Sequence, residues 1–141
     1  MDSLTIGQVA RAAHVNVETV RYYERRGLLP EPARRPSGYR SYTPDAVRRI
    51  LFIRQSQQLG FSLHEIRDLL RLRVDPETSC GAVKDRAEAK IAAIERKIED
   101  LRSMQQALTT LAETCRGDGP IGACPFLDAI DRQAHLRVEA G

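Results

Sequence analysis

The sequence has no hydrophobic run that approaches the roughly 18 residues needed to cross a membrane. Its first ten residues, MDSLTIGQVA, lack the basic start and apolar centre of a signal peptide. It contains no internal repeat, and it lacks the phosphate loop, acid pair or histidine-oriented nucleophile of an enzyme. These absences favour a cytoplasmic, non-enzymatic protein with no membrane partner. With 141 residues, 42% hydrophobic and 29% charged, the chain forms one or two small globular domains.

Cysteine is scarce, and the three positions it occupies are Cys80, Cys115 and Cys124. Reduced cysteines in the cytoplasm favour metal or redox roles over structural disulfides. Residues 82–116 contain no glycine or proline, which predicts one uninterrupted helix that starts just after Cys80 and is closed by Cys115. Such a helix separates Cys80 from Cys115 by roughly 50 Å. Two antiparallel chains could therefore gather all three thiols around a soft metal ion, whereas one chain could not. The alternative is that the cysteines are small buried hydrophobes.

The net charge of +3 hides an asymmetry between the two halves of the chain. Residues 1–75 carry 13 arginines and 8 acidic residues, whereas residues 76–141 carry 9 basic and 11 acidic residues. A basic N-terminal half with interspersed aromatics is typical of a nucleic-acid-binding protein. The alternative is an ordinary solvated charged surface.

The N-terminal segment shows the pattern of a helix-turn-helix. Residues Thr5-Ile6-Gly7-Gln8 form a capping box that opens a helix to about Ala13. After the turn His14-Val15-Asn16, a second helix is predicted from about Val17 to Arg26, ending at Gly27. Two short helices joined by a three- or four-residue turn fit this DNA-binding motif.

The next segments predict a hairpin and two more helices. Prolines and glycine exclude helix from Pro30 to Gly38, and the turn at 36–38 precedes the extended segment 39–42. This pattern predicts a β-hairpin wing with Tyr39 and Arg40 at its tip, or alternatively a plain surface loop. A helix capped by Thr43 then runs to Gly60, and a capping box at 62–65 opens another to about Leu72. Residues 74–77 mark a domain boundary.

The long helix carries an apolar stripe with a period close to 3.5 residues. The stripe, called the seam below, consists of Ala87, Ile91, Ile94, Ile98, Leu101, Gln105, Leu108 and Ala112. This spacing predicts a coiled coil. Packing on the N-terminal domain is the alternative, but that domain is too small to cover the whole stripe, so we expect a homodimer. Residues 116–124 form a loop, and Pro125 begins a short helix through about Arg132.

Three stretches together resemble the MerR family of bacterial transcription regulators: LTIGQVARAAHVNVETVRYYERRGLL, RPSGYRSYTPDAVRRI and LGFSLHEIRDLL. The resemblance covers about residues 3–130. It implies a mainly α fold: a winged helix-turn-helix DNA-binding domain (1–75), a linker and long antiparallel coiled-coil dimerisation helix (76–114), and a metal-binding loop with a C-terminal helix or tail (115–141). It also implies that Thr19, Arg21, Tyr22, Tyr23, Tyr39 and Arg40 contact double-stranded operator DNA. Either Tyr22 or Tyr23 could instead belong to the core.

The cysteine pattern is similar to that of the mercury-responsive branch of the family, with Cys80, Cys115 and Cys124 as metal ligands. Three soft thiolates suit three-coordinate Hg(II), whereas structural zinc takes a fourth ligand. The resemblance implies a dimer that represses without metal and, with Hg(II) as effector, distorts the promoter so that RNA polymerase can use it. Two alternatives remain: a sensor of Pb, Cd or Zn on the same scaffold, and a thiol redox-sensing regulator.

Overall fold

The structure is a computed structural model that describes residues 3–34, 38 and 40–140. Its helices are α1 (Ile6–Ala12), α2 (Val17–Arg25), α3 (Pro44–Gln58), α4 (Leu63–Val74), α5 (Cys80–Glu113) and α6 (Pro125–Ala140), with a short 3-10 turn at Ile121–Ala123. Two antiparallel strands, β1 (Ala33–Arg34) and β2 (Arg40–Ser41), lie between α2 and α3 in the sequence. The mainly helical fold class is confirmed. None of the described helices is both long and apolar enough to cross a membrane.

The chain separates into two compact units, Met1–Lys90 and Ile91–Gly141. The division by function into residues 1–75, 76–114 and 115–141 stays a prediction. The first unit contains one hydrophobic cluster, to which α1, α2, α3, α4 and the strand segment all contribute. The buried members are Val9, Ala10, Ala13, Val20, Tyr23, Leu28, Leu29, Tyr42, Ile50, Ile53, Ile66 and Leu70. Each large aliphatic side chain buried there stabilises the fold by about 1.5–3 kcal/mol.

Both predicted capping boxes are present. The Thr5 hydroxyl accepts from the Gln8 amide at 3.2 Å while the Gln8 side chain accepts from the Thr5 amide at 2.8 Å. Ser62 and Glu65 make the same reciprocal pair at the start of α4. Thr43 occupies the N-cap position of α3 but makes no side-chain cap bond, and Pro44 follows at the first helical position, where its fixed φ suits a helix.

The helices α1, α2 and α3 end in the same backbone motif. Each is followed by one residue in the left-handed conformation: His14 (φ 57°), Gly27 (φ 74°) and Gly60 (φ 97°). The next amide then donates back into the last turn, from Val15 to Ala10, from Leu28 to Tyr23 and from Phe61 to Ser56, at 2.9, 2.9 and 3.1 Å. This is the Schellman motif, which satisfies carbonyls that a helix end leaves free. His14 alone adopts this conformation among the described residues other than glycine.

The structure corrects two helix boundaries. Helix α5 begins at Cys80 itself and ends at Glu113, so Cys80 belongs to the helix and Cys115 lies just beyond it. Helix α6 continues to Ala140 instead of ending near Arg132. Residues 133–140 contain no proline or glycine and are rich in alanine, leucine, arginine and glutamate, which favour helix.

The wing pairs Ala33 with Ser41 and Arg34 with Arg40. Tyr42 does not continue this ladder; it forms a separate bridge with Leu4, whose amide donates to the Tyr42 carbonyl at 2.8 Å. The N-terminal segment therefore joins the wing. The predicted turn at residues 36–38 lies mostly outside the described residues, as does Tyr39.

Candidate functional site

Helix α2 is fixed by its own flanking residues and by the side chains of its inner face. Asn16 caps its start, because the Asn16 side-chain oxygen accepts from both the amide and the hydroxyl of Thr19 at 2.8 Å. Val20 and Tyr23 anchor its inner face in the core. Gly27 lets the chain turn sharply after it. The opposite face of α2 is thus presented in a fixed orientation, as a helix that enters a DNA groove requires.

Three arginines of α3 and α4, called the carbonyl-binding arginines below, stabilise the ends of the first two helices. Arg54 Nη1 donates to the carbonyl of His14 at 3.1 Å, and Arg49 Nε donates to that of Leu28 at 2.6 Å. Arg67 Nη1 reaches the Arg26 carbonyl at 3.5 Å. Positive groups at the carbonyl ends of helices are favourable. Part of the basic character of this domain therefore serves the fold.

The exposed face of α2 carries Arg21, Tyr22 and Arg25. Arg21 pairs with Glu18 at 2.8 Å, but both side chains are more than half exposed, so this contact contributes little and can be exchanged for a phosphate. The Tyr22 ring is 40% exposed and lies within 6 Å of the guanidinium groups of Arg25 and Arg26. Arg26 also donates to the Tyr22 hydroxyl at 3.0 Å. The Tyr22 hydroxyl thus stands in a cluster of positive charge.

Tyr23 occupies a different environment from Tyr22 and requires a correction. It is only 4% exposed, and its hydroxyl donates to the Gln57 side chain of α3 at 2.9 Å. Burial raises the pKa of Tyr23, against the opposing charge of Arg54. The structure therefore places Tyr23 in the core, which was the alternative left open for either tyrosine. Tyr22 and Tyr23 differ because successive residues of a helix point about 100° apart.

The wing is joined to α2 through one buried carboxylate. Glu24 accepts from the Arg40 guanidinium and from the Tyr42 hydroxyl, and its side chain is 8% exposed. Burial, together with the hydrogen bond to Glu24, raises the pKa of Tyr42 to about 12. Tyr42 therefore stays protonated and keeps donating at any physiological pH.

An open concavity of about 360 Å³ lies between α2 and the wing, lined by Arg21, Glu24, Arg25, Glu31 and Arg40. The structure thus brings Arg21 and Arg40 to one place, and their contact with DNA stays a prediction. Arg25 was missed at the sequence level, although its position one helical turn after Arg21 indicates a shared face. Three arginines outnumber the carboxylates of Glu24 and Glu31 in this lining, and Glu24 is already bonded to Arg40 of the wing, so the surface suits a phosphate group.

The three cysteines are free thiols. Cys80 is the exposed first residue of α5, whereas Cys115 and Cys124 are half-buried in the segment that links α5 to α6. The Cys115 sulfur accepts from the Gly117 amide at 3.4 Å. Cys124 directly precedes the first turn of α6, where the helix dipole favours a negative ligand. Within the described residues, no three histidine, cysteine, aspartate or glutamate side chains come together as metal ligands.

The seam of α5 is uncovered in the single chain. Ile91, Ile98, Leu101 and Leu108 are between 43% and 62% exposed, and α5 has no buried residue. A continuous apolar stripe of this length on a solvent-facing helix is typical of a surface that another helix covers.

A family model described as "MerR HTH family regulatory protein" matches residues 4–72, and a second, described as "MerR, DNA binding", matches residues 47–111. The chain belongs to the MerR family. It is therefore a DNA-binding transcription regulator and not an enzyme. The positive concavity beside α2 lies within the part of the chain matched by the first of these models.

Among curated MerR-family relatives, a mercuric resistance operon regulatory protein of Bacillus cereus is 43% identical over 125 residues, which cover 89% of this chain and 95% of that one. Two solved structures are each 38% identical in sequence to this chain, and each match covers 90% of this chain and 98% of the other. They are the regulator PbrR691 of Ralstonia metallidurans CH34 in complex with lead(II), with a TM-score of 0.82, and the MerR of Bacillus megaterium MB1 in complex with mercury(II), with a TM-score of 0.69.

Proposed function

We propose that this protein is a mercury(II)-responsive regulator of a mercury-resistance promoter. It works in the cytoplasm as a homodimer on a two-fold symmetric operator, together with RNA polymerase. It represses without metal, and it activates by distorting the operator once Hg(II) has bound. The observation that carries the proposal is the placement of three free cysteines at the two ends of a helix whose apolar seam is uncovered.

The proposed metal site is shared between subunits. If the seams of two α5 helices pair in antiparallel fashion, Cys80 of one chain lies near the Cys115–Cys124 loop of the other. The thiols fit a soft ion chemically, because thiolate ligands select such metals. When bound, Hg(II) would supply bonds that link sulfurs of both subunits.

The proposed DNA interface consists of Thr19, Arg21, Tyr22 and Arg40, with Arg25 added from the geometry. The exposed start of α2 would enter the major groove, where arginine reads guanine or holds phosphate and a tyrosine hydroxyl holds phosphate. Tyr23 is left out because of its burial. The role of Tyr39 at the tip of the wing stays a prediction.

The response itself requires two dimer states that deform DNA differently. Binding energy can shift the balance between them only if the metal site is better formed in one state than in the other. In the proposed mechanism both states hold the operator, and the active one untwists its centre so that the two promoter elements realign for polymerase. The two states then differ in the energy spent on deforming the DNA, while the base contacts stay the same.

Mercury is supported by the names of relatives and by the three-cysteine set, but one observation favours a second candidate. The lead(II)-bound PbrR691 has a higher TM-score to this chain than the mercury(II)-bound MerR, at equal identity. A sensor of Pb, Cd or Zn is therefore the alternative. The test is titration of the dimer with each ion under a competing small thiol, followed by the sulfur-to-metal charge-transfer band. Hg(II) should compete best, and a stronger response to another ion would contradict the mercury assignment.

Serine substitutions test the ligand set. Cys80→Ser, Cys115→Ser and Cys124→Ser should each abolish the metal response while operator binding is kept. Ser79→Ala, next to Cys80, is the matched control and should respond normally. A mixed dimer of one Cys80→Ser chain and one Cys115→Ser chain should regain one intact site. That site combines Cys80 of the second chain with Cys115 and Cys124 of the first. If every mixed dimer stays silent, the shared site is wrong.

Two further outcomes decide between the remaining mechanisms. A footprint in which metal releases the protein from DNA, with no hypersensitive operator centre, would contradict activation by distortion. A regulator that responds to thiol redox state would lose two titratable thiols under oxidant and respond without metal. Counting free thiols with and without Hg(II) separates these cases.

A further inference from the structure

The first turns of α5 are bound to α4 by two ion pairs. Arg86 Nε lies 2.8 Å from Asp68 Oδ2, and Lys90 Nζ lies 2.7 Å from Glu65 Oε1. Arg86 and Lys90 are one helical turn apart on α5, and Glu65 and Asp68 are one turn apart on α4, so each pair shares a helix face. Lys90, the later residue on α5, pairs with Glu65, the earlier residue on α4. The two helices therefore run antiparallel along this contact.

The Lys90 pair is better enclosed than the Arg86 pair. The Lys90 side chain is 15% exposed, and its ammonium group lies 5.5 Å from the centre of the Phe61 ring. Arg86 and Asp68, in contrast, are 49% and 40% exposed. An exposed pair contributes little, whereas an ammonium group shielded from water and placed over an aromatic face is held more firmly.

Glu65 also holds the start of α4. The same oxygen that accepts from Lys90 accepts from the Ser62 amide at 2.8 Å, which is half of the capping box. The Lys90 hydrogen bond and then the Ser62 amide lower the pKa of Glu65 to about 2. One carboxylate thus joins α5 to the first turn of α4.

From that turn, hydrogen bonds lead through α3 to α2. Phe61 donates to the Ser56 carbonyl of α3, and Gly60 donates to the Gln57 carbonyl at 3.0 Å. The Gln57 side chain accepts from the Tyr23 hydroxyl of α2. The start of α4, the end of α3 and the last turn of α2 therefore form one connected set of contacts inside the first unit.

We infer that Lys90 is a positioning residue that couples α5 to the DNA-binding helices through Glu65. It holds the first turns of α5 against the first turn of α4, so that a change in α5 moves the start of α4 and, through α3, helix α2. The inference rests on the proposed function, because it concerns how the metal response reaches the operator. Arg86 and Asp68 support the same contact without being required for the signal.

The test compares Lys90→Met with Arg86→Met in the full-length dimer bound to operator DNA at saturation. Methionine keeps an unbranched side chain but removes the ammonium group that lies over the Phe61 ring. Lys90→Met should bind operator and Hg(II) within about threefold of the original protein, while Hg(II)-induced untwisting, read as nuclease hypersensitivity at the operator centre, falls by about tenfold, in the usual range of allosteric coupling. Arg86→Met should keep the untwisting.

Glu65→Gln completes a double-substitution cycle. Glutamine keeps an acceptor for the Ser62 amide, so the cap survives while the charge is lost. Glu65→Gln should reproduce the effect of Lys90→Met, and the double variant should be no worse than either, because both remove the same contact. Additive losses in the double variant would overturn the inference.

A metal-free measurement tests the contact itself. In the apo protein, NMR titration of the Glu65 carboxyl should show its pKa rising towards the ordinary 4.5 in Lys90→Met and staying low in Arg86→Met. An unchanged Glu65 pKa, or full untwisting by Lys90→Met, would overturn the inference. Failure of the unsubstituted protein to untwist its operator with any of the metal ions would instead contradict the proposed function.

Discussion

The left-handed residue at the end of α1 gives a prediction whose size follows from the backbone. His14 has φ 57° in a Schellman motif that elsewhere in this domain is occupied by Gly27 and Gly60. An L-residue in this region costs about 1–2 kcal/mol, and histidine tolerates it better than most. Glycine adds about 0.5–1 kcal/mol of conformational entropy cost. His14→Gly should therefore stabilise the fold by about 0.75 kcal/mol, the centre of a range of about 0–1.5 kcal/mol that these two terms leave.

Gly27→Ala is the reverse experiment on the same motif. Alanine at position 27 would have to hold φ 74°, and its Cβ would lie 3.3 Å from Arg67 Nη1. The arginine must then shift by a few tenths of an ångström, which weakens its long bond to the Arg26 carbonyl. We expect a loss of about 1–2 kcal/mol. His14→Ala, which keeps the left-handed backbone without an imidazole, is the control and should not stabilise.

The assay is urea unfolding at one fixed protein concentration, since the stability of a dimer depends on concentration. The midpoint should rise for His14→Gly and fall for Gly27→Ala, with the slope unchanged. His14→Gly should also keep its operator affinity, because the turn keeps its shape. If His14→Gly is no more stable than the original and Gly27→Ala is neutral, backbone strain is not the term that governs these positions.

Four further outcomes can be measured directly. Ile98→Glu places two like charges in the paired seam and should shift the protein to monomer in sedimentation experiments. Tyr23→Phe removes the bond to Gln57 and should cost about 1 kcal/mol of stability in urea unfolding; Tyr22→Phe should leave stability unchanged and weaken operator binding. The pKa of Glu65 is lowered from 4.5 to about 2 in the folded protein. Glu65 therefore contributes to the free energy of unfolding above pH 4.5, and this contribution is lost as the pH falls towards 2. Because Glu65 is 43% exposed, we expect only about 1 kcal/mol of loss in acid unfolding.

The helices of the DNA-binding domain were predictable because their boundaries are local. Thr5 and Ser62 each meet their capping partner three residues later, and Gly27 marks an end wherever the rest of the chain lies. The boundary of α6 was missed because nothing local stops the helix after Arg132. The start of α5 at Cys80 was likewise blurred by Gly81, which usually weakens a helix.

The candidate site was predictable by residue type but not by environment. The arginine and tyrosine run of α2 indicated DNA, yet the choice between Tyr22 and Tyr23 depends on Gln57, 34 positions later. The Glu24 carboxylate that joins the wing to α2 depends on residues 16 and 18 positions away, Arg40 and Tyr42. Such contacts depend on tertiary packing, which periodicity does not encode.

The carbonyl-binding arginines bear on how this regulator responds to salt. Affinity for DNA falls as salt concentration rises, and the steepness of this fall is proportional to the number of phosphates that basic side chains neutralise. Each neutralised phosphate releases condensed counterions. Arg49, Arg54 and Arg67 already face the protein's own backbone. The number of cations released when the protein binds DNA should therefore be well below the number of arginines in the domain. The affinity for promoter DNA should fall less steeply with salt concentration than the formal charge of the domain suggests.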